Sequence, residues 1–234
     1  MENNSDKGIR KIFSEIPRSY DLTNRILTFG LDILWRKKAA KIALSSSGLR
    51  CLDVCSGTAD MANSLYKLAG AKTQIVALDF CFPMLREAAK KTVKKKISFC
   101  VSNADTLPFA DNTFDLLTIS FATRNINISP KILLRHFQEF HRVLKPDGRF
   151  VNLETSQPLS LALRRLFHFY VRLAVKPIGY LISGSKAAYA YLSYTIPHFF
   201  SAEELSRIIY QAGFRKVDLA YLSFGISAIH IAIK

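Results

Sequence analysis

The chain is short of acid. Eighteen Asp and Glu stand against 33 Lys and Arg in 234 residues, a formal net charge of +15, which points to anionic neighbours and says nothing about fold. Cysteine is scarce as well: Cys51, Cys55, Cys81 and Cys100 form no CxxC pair and none stands beside a histidine. That leaves no tight ligand set for a metal and reads as reduced thiols in a core or lining a site. Long apolar runs are missing. The stretch 166–183 is interrupted by Arg172, Lys176, Pro177 and Gly179 and falls short of the ~18 uninterrupted apolar residues of a spanning helix. Residues 1–8 are polar, contain Glu2 and Asp6 and precede no apolar segment, so no secretory leader is expected. These absences describe a cytoplasmic protein, soluble or lying on the inner face of a membrane. What is present is ordinary: 49% apolar and 22% charged residues, enough for a packed core in one large domain or two small ones.

From residue 49 onward short β-rich runs alternate with longer amphipathic stretches. Residues 49–55, 73–80, 97–103, 114–121 and 149–155 have the length, the Val, Ile and Phe content and the bounding turn residues of buried strands. Between them, 60–69, 83–95 and 131–144 carry apolar residues at helical spacing, and Lys145-Pro146-Asp147-Gly148 predicts a stop before the fifth strand. This alternation builds a parallel sheet with helices on both faces. After a helix at 203–212 closed by Gly213, strands at 216–223 and 227–234 are joined by Phe224-Gly225-Ile226, a link so short that the pair must be antiparallel. The predicted class is α/β: a seven-stranded, mostly parallel, doubly wound sheet with one reversed strand.

Two regions stand outside this pattern, the helical residues 9–47 and the insert 156–200 after the fifth strand, and both are candidate lids. The insert holds nine of the 27 aromatic residues, no acid, and Arg164, Arg165, Arg172, Lys176 and Lys186. It reads either as an interfacial surface or as a helical hairpin that packs its rings on the sheet and leaves its cations in water.

In a doubly wound sheet ligands bind beyond the carboxyl ends of the strands, so the residue after each strand matters. The first strand runs into Asp53-Val54-Cys55-Ser56-Gly57-Thr58-Ala59-Asp60, a small-residue turn with one glycine, where a dinucleotide fingerprint needs three. Asp53 suits a cationic amine reached directly or through water. Asp79, ending the second strand, suits the two hydroxyls of a ribose. After the third strand, Asp105 can accept from an exocyclic amine and Ala104 leaves room for a ring, with Asn103 beside them. Amine, ribose and adenine together describe S-adenosylmethionine; each acid taken singly could merely cap a helix.

Further motifs connect these positions. Tyr20, Asp21, Asn24, Phe29, Gly30 and Trp35 in the N-terminal region, Gly57, Thr58 and Asp60 in the turn, Leu107 to Phe109, Ser120, Phe121, Arg124 and Asn125, Arg142 to Pro146, and Tyr189 to Leu192 together resemble the ubiquinone/menaquinone biosynthesis C-methyltransferases over nearly the whole chain. The resemblance implies one Rossmann-like class I methyltransferase domain over 1–234. Its parts would be an N-terminal helical lid at 1–47, a cofactor-binding core at 48–155, the insert at 156–200, and a final helix and hairpin at 201–234. It also implies that Thr58, Asp79, Asn103, Ala104 and Ser120 contact S-adenosylmethionine, and that the acceptor is a polyprenylated quinol. Demethylmenaquinol comes first, with 2-methoxy-6-polyprenyl-1,4-benzoquinol as the alternative. Ser56, Ala59 and Ala122 replace glycines of the pattern, and Tyr194-Thr195-Ile196 replaces Glu-Ser-Ile. An alanine resists positive φ, so a left-handed requirement at either turn would weaken cofactor binding.

A carbon nucleophile needs electron density from a ring hydroxyl, while a sulfonium leaves readily, so the protein positions and polarises. Arg124 is expected to hold a phenolate or acidify a water and Asn125 to orient the ring oxygen. Tyr20, Tyr191 and His198 are further candidates for proton transfer. Against this, Arg124 could pair with a structural carboxylate and Asn125 cap the next helix. Residues 1–50 hold ten Lys and Arg against five acids, and 151–200 five against one, which suits an anionic membrane surface. The run Lys90 to Lys96 is expected to complement a helix C-terminus and stay solvated. A nucleic-acid partner is disfavoured, since Ser120-Phe121-Ala122-Thr123-Arg124-Asn125 lacks the Asn/Asp-Pro-Pro-aromatic loop of base-amine methyltransferases. A small-molecule or RNA methyltransferase and a non-catalytic subunit of a quinone-synthesis complex remain as rivals, and a homodimer as a possible assembly.

Overall fold

The chain was analysed as a computed structural model that describes residues 4–44, 49–69, 72–93 and 95–234. The expected junction at residues 47 and 48, residues 1–3 of the polar start and Lys94 of the basic run lie outside the described residues. The strands are β1 (Arg50–Val54), β2 (Gln74–Asp79), β3 (Ile97–Val101), β4 (Phe114–Ser120), β5 (Leu144–Thr155), β6 (Lys216–Leu222) and β7 (Ser227–Ile233). They form one sheet in the order β3-β2-β1-β4-β5-β7-β6. The first five run parallel, and β7 is antiparallel to both of its neighbours. The order reverses between β1 and β4, which places the switch point, and with it the ligand site, beyond the ends of those two strands.

The helices are α1 (Asn4–Glu15), α2 (Tyr20–Leu27), α3 (Leu31–Ala43), α4 (Asp60–Ala69), α5 (Phe82–Lys91), α6 (Thr123–Ile126), α7 (Pro130–Val143), α8 (Leu161–Tyr170), α9 (Lys176–Ser183), α10 (Lys186–Thr195) and α11 (Ala202–Gln211), with a π-helical turn, Val171–Val175, joining α8 to α9. Successive strand residues face opposite sides, as the pleat requires. Leu117 joins Phe137, Phe140 and Phe214 of the α7 and α11 face, whereas Leu116 joins Ala39, Ala62 and Leu65 of the α3 and α4 face. Ser129 caps α7 ahead of Pro130, and Ser201 with Glu204 forms a capping box on α11, so both helices start where local chemistry supplies acceptors for their first N–H groups.

Lys145-Pro146-Asp147-Gly148 does not separate helix from strand. Leu144 already pairs with Phe114, Asp147 takes φ +62°, and the register shifts between Phe114 and Leu116, so the tetrapeptide is absorbed as an irregularity inside β5.

The two regions outside the alternating pattern pack on one another. Phe13, Ile16 and Leu27 of the N-terminal helices share a cluster with Val171, Val175 and Tyr189 of the insert, and the Tyr170 hydroxyl donates to the Leu27 carbonyl at 2.8 Å. Gly179 lies against the Tyr189 ring so closely that a Cβ there would fall 2.0 Å from it. The insert combines both expected readings: Tyr189 is fully buried, while Leu166, Phe169, Leu173 and Leu181 are exposed. No helix among the described residues is long and apolar enough to cross a membrane.

Candidate active site

The loops following β1 to β4 open into a cavity of about 530 Å³. Its floor is the turn after β1, where Cys55, Gly57 and Ala59 take φ of +52°, +55° and +62°. Left-handed residues alternating with right-handed or extended ones turn successive N–H groups to one side, a geometry that favours polar acceptors. One acceptor is Asp79, whose two carboxylate oxygens accept from the Gly57 and Cys81 N–H groups at 2.8 Å each. Burial pushes its carboxyl up to about 6. Each oxygen keeps an acceptor site free. Asn103, Ala104, Asp105 and Ser120 line the same space with Gly57, Thr58 and Asp79, so seven of the eight expected cofactor positions converge.

Asp53 is the exception. It is fully buried, accepts from the Thr118 hydroxyl at 2.8 Å and the Ala62 N–H at 3.1 Å, and is not among the residues lining the cavity. Its expected role beside an amine is corrected to a structural one: it ties β1 to β4 and to the first turn of α4. Burial pushes its carboxyl up to about 7.

The N-terminal helices are latched to this turn by charge. The Thr58 hydroxyl donates to Asp21 at 2.6 Å, and the Lys91 ammonium bridges Asp21 and Asp60 at 2.6 Å each. Arg25 reaches both Asp32 and Asp60, and Arg36 donates to Asp32. Burial raises the Asp60 carboxyl, but Lys91, Arg36 and Arg25 outweigh it and hold the group at about 2. Lys91 was expected to stay solvated with the rest of the basic run. The structure makes it a strut instead, because α5 presents it to two acids from elements distant in sequence.

A second cavity, of about 420 Å³, lies behind the first and is lined by apolar side chains such as Leu27, Leu163, Phe167, Val171, Leu192 and Ile196. The π-helical turn sets Val171 and Val175 on its wall, a use of such turns common at functional sites. Phe29 and Leu166 also line it yet are 81% and 63% exposed, so it opens to the surface between them. The two cavities share Phe13, Tyr20, Arg36, Phe121 and Asn125. Phe121 is held at φ +55° with the Trp35 ring centroid 6.1 Å away and the Arg36 guanidinium carbon 5.0 Å above its ring. Ala122 sits at φ −124°. The alanine that meets a left-handed requirement is therefore Ala59 and not Ala122.

The expected catalytic trio gathers at this junction. Tyr20 and Asn125 line both cavities and Arg124 the second. Arg124 is buried and donates to Glu154 at 3.1 Å and to the Thr155 hydroxyl at 2.7 Å, so it pairs with a buried carboxylate and borders the cavity at once. The Asn125 side-chain oxygen is buried without a hydrogen-bond partner, and the cap of α7 is Ser129 instead. Burial pushes the Tyr20 hydroxyl up, against the opposing influence of Arg36, Asn24 and Arg124. His198 stacks on Tyr194 at 4.6 Å and, like Tyr191, lines neither cavity. Tyr194 is 67% exposed, so the altered Tyr194-Thr195-Ile196 segment leaves Ile196 alone on the cavity wall. Arg36 and Asp60 were missed as site residues. The available signal was a charge immediately after Trp35 and another opening the helix after the small-residue turn.

Comparison with known proteins gives the family and the fold. The model of the ubiE/COQ5 methyltransferase family matches residues 1–234. The demethylmenaquinone methyltransferase of Geobacillus kaustophilus is 33% identical over 237 residues, covering all of both chains. That of Lactiplantibacillus plantarum is 36% identical over 239 residues, covering all of this chain and 99% of its own. Among solved structures, an S-adenosylmethionine-dependent methyltransferase of Thermotoga maritima described as a possible histamine N-methyltransferase superposes with a TM-score of 0.68 at 19% identity, over 96% of this chain and 99% of that one. A likeness at that identity speaks for the fold.

Proposed function

The chain belongs to the ubiE/COQ5 methyltransferase family, and from that premise we propose that it methylates a ring carbon of a polyprenylated quinol, demethylmenaquinol, giving menaquinol. The names of its full-length relatives support menaquinone over ubiquinone biosynthesis. It is an S-adenosylmethionine-dependent methyltransferase. When bound, that cofactor supplies the electrophilic methyl group. The observation that carries the reading is the pair of cavities, one rimmed by the acceptors after β1, β2 and β3 and the other apolar, which meet at Tyr20, Phe121 and Asn125.

The residues present fit the cofactor. Asp79 has acceptor sites left for two hydroxyls, Gly57 leaves open space above the turn, and Ala104 and Asp105 border the region after β3. The apolar cavity takes a naphthalene-sized ring and the start of a tail, and the tail leaves past Phe29 and Leu166. Arg124 and Asn125 orient the ring oxygens, and the apolar walls hold the ring against the junction where the two cavities meet.

A tail of isoprene units stays in a bilayer, so the enzyme works at the cytoplasmic leaflet. Phe29, Phe169 and Leu181 are exposed on the cap around the opening, among Arg165, Arg172 and Lys176, and each cation near an anionic surface contributes about 1 kcal/mol.

The test is turnover by the purified chain with S-adenosylmethionine and demethylmenaquinol, alongside mass spectrometry of quinones from cells lacking it. Methylated product and accumulation of the demethylated menaquinone are expected. Accumulation of a benzoquinone precursor would move the acceptor to ubiquinone synthesis, and inactivity of the pure chain would favour a subunit role.

A further inference from the structure

Arg36 lies on α3 one turn after Asp32, is 95% buried, and borders both cavities. Its Nη1 is engaged by Asp32, and Asp60 lies 4.0 Å away, yet its Nε–H has no hydrogen-bond partner. A guanidinium that served only to knit the acidic cluster would turn that donor toward it. The other buried guanidinium of the site repeats the pattern: Arg124 spends Nη1 on Glu154 and Thr155 while its Nε–H is unpartnered. Asn125 adds an unpartnered acceptor oxygen. Arg36 and Arg124 thus each keep a buried, unspent N–H and Asn125 a buried, unspent oxygen, and all three residues border the apolar cavity; buried polar groups are rarely left so without a ligand, an ordered water or a catalytic role to account for them. The two cations also act on one point, since Arg36 and Arg124 both oppose the effect of burial on the Tyr20 hydroxyl.

We propose that Arg36 is a catalytic residue that holds the acceptor ring's oxygen as an anion, jointly with Arg124. The inference rests on the quinol reading above. The ring hydroxyl gives its proton to water, and the resulting oxyanion is paired with the guanidinium N–H groups. The ring carbon ortho to it attacks the methyl carbon, so a C–C bond forms while the C–S bond breaks and its electron pair passes to sulfur. The ring C–H proton then leaves to water, and the ring regains its aromaticity. Nothing is oxidised or reduced. Arg36 suits the task because the Phe121 ring beneath its guanidinium plane and the Asp32 carboxylate fix its orientation before the ring arrives, and fixed charge at the site of developing charge is what lowers a barrier.

The proposal is tested on the full chain with a phenolic probe that cannot turn over, 4-methoxy-2-methyl-1-naphthol, whose reacting ortho carbon is already methylated and whose ionisation is read from its absorbance, in wild type and in Arg36→Met and Arg36→Lys. A cation within ~4–6 Å lowers an acid's pKa by about 1–3 units. The bound probe should therefore titrate lower than the free one by that amount in wild type, recover most of the difference in Arg36→Met, and recover less in Arg36→Lys. Turnover of demethylmenaquinol should fall about 100-fold in Arg36→Met, its pH profile should move upward by a similar shift, and the Kd for S-adenosylmethionine should stay within a factor of about three. If Arg36→Met does not fold, the probe titration in Arg36→Lys decides. A pKa of the bound probe equal in wild type and variants would overturn the role, as would a Kd for S-adenosylmethionine that rises in step with the loss of turnover, which would assign Arg36 to the donor's carboxylate. A wild-type chain that binds no phenol at all would instead sink the quinol reading itself.

Discussion

Thr58 Oγ1 donates to Asp21 Oδ1 at 2.6 Å across 37 positions of sequence. The turn that carries the cofactor acceptors and the helix that opens the N-terminal cap are thereby one unit, reinforced by Lys91 from α5. A ligand held at the turn and the position of the cap beside it therefore depend on the same contacts.

Removing the link should loosen the cofactor more than the fold. Asp21→Ala leaves Lys91 with Asp60 and Thr58 without its acceptor. A charge-assisted hydrogen bond at a partly exposed site is worth about 1–2 kcal/mol, so the Kd for S-adenosylmethionine should rise about ten-fold, through faster release. Calorimetry and stopped-flow release measure this. An unchanged release rate would mean that the turn keeps its shape without α2.

Ala59 carries the backbone strain. Ala59 and Ala62 are both fully buried, but Ala59 has φ +62° while Ala62 lies within α4. Truncation to glycine loses a similar methyl contact at each, and only at position 59 does it also relieve a left-handed backbone. Ala62→Gly should cost about 1–2 kcal/mol and Ala59→Gly less than about 0.5. Urea midpoints at unchanged m-value would show the difference; equal losses would show that Ala59 is not strained.

The buried carboxyl of Asp53 makes stability depend on pH. Burial raises it from 3.8 to about 7, so the folded state holds this proton more tightly than the unfolded chain does. Its contribution is complete below about pH 4 and is lost as pH rises through about 7, on the order of 4 kcal/mol at most. Asp53→Asn keeps the contacts to Thr118 and Ala62 with a rotated amide and cannot ionise. Denaturation curves from pH 4 to 7 should therefore slope downward more steeply for wild type than for the variant, and parallel slopes would remove Asp53 from the account.

The exposed apolar rim predicts a division between tail lengths. Phe169 and Leu181 are 61% and 85% exposed and line neither cavity. Replacing both with Asp should reduce flotation with anionic vesicles several-fold and lower turnover of a long-tailed quinol in those vesicles about ten-fold. Turnover of a short-tailed quinol in solution should be unchanged. Equal losses on both substrates would mean that the rim acts through the fold and not through a bilayer.

Sequence and structure part company at particular residues. The strands were legible because buried parallel strands are short runs of Val, Ile, Leu and Phe, and the observed ends lie within two residues of the expected ones except at the start of β5, which begins at Leu144, five residues before the expected 149. Lys145-Pro146-Asp147-Gly148 misled because a strong turn former can be accommodated as an irregularity when the flanking residue, Leu144, already has a partner in Phe114. Lys91 misled because a cation in a basic run looks solvated until acids from other elements are placed beside it.

The order of strands, the acids that follow them and the small-residue turn could all be read from the chain itself, because periodicity and turn chemistry act over a few residues and every βα loop is delivered to the same edge of the sheet. Which acid faces a ligand could not. Asp53 precedes the end of β1 by one residue and is flanked by Ala77 and Thr118 on both neighbouring strands, whereas Asp79 is the last residue of β2 and projects where the strands end. A shift of one residue separates a carboxylate spent inside the sheet from one that lines the cavity. Only packing of the N-terminal cap against the insert created the apolar cavity, and only packing of α3 on the sheet brought Arg36 over Phe121, 85 residues further along the chain, for a contact between distant segments depends on how their faces bury one another and leaves no local pattern to read.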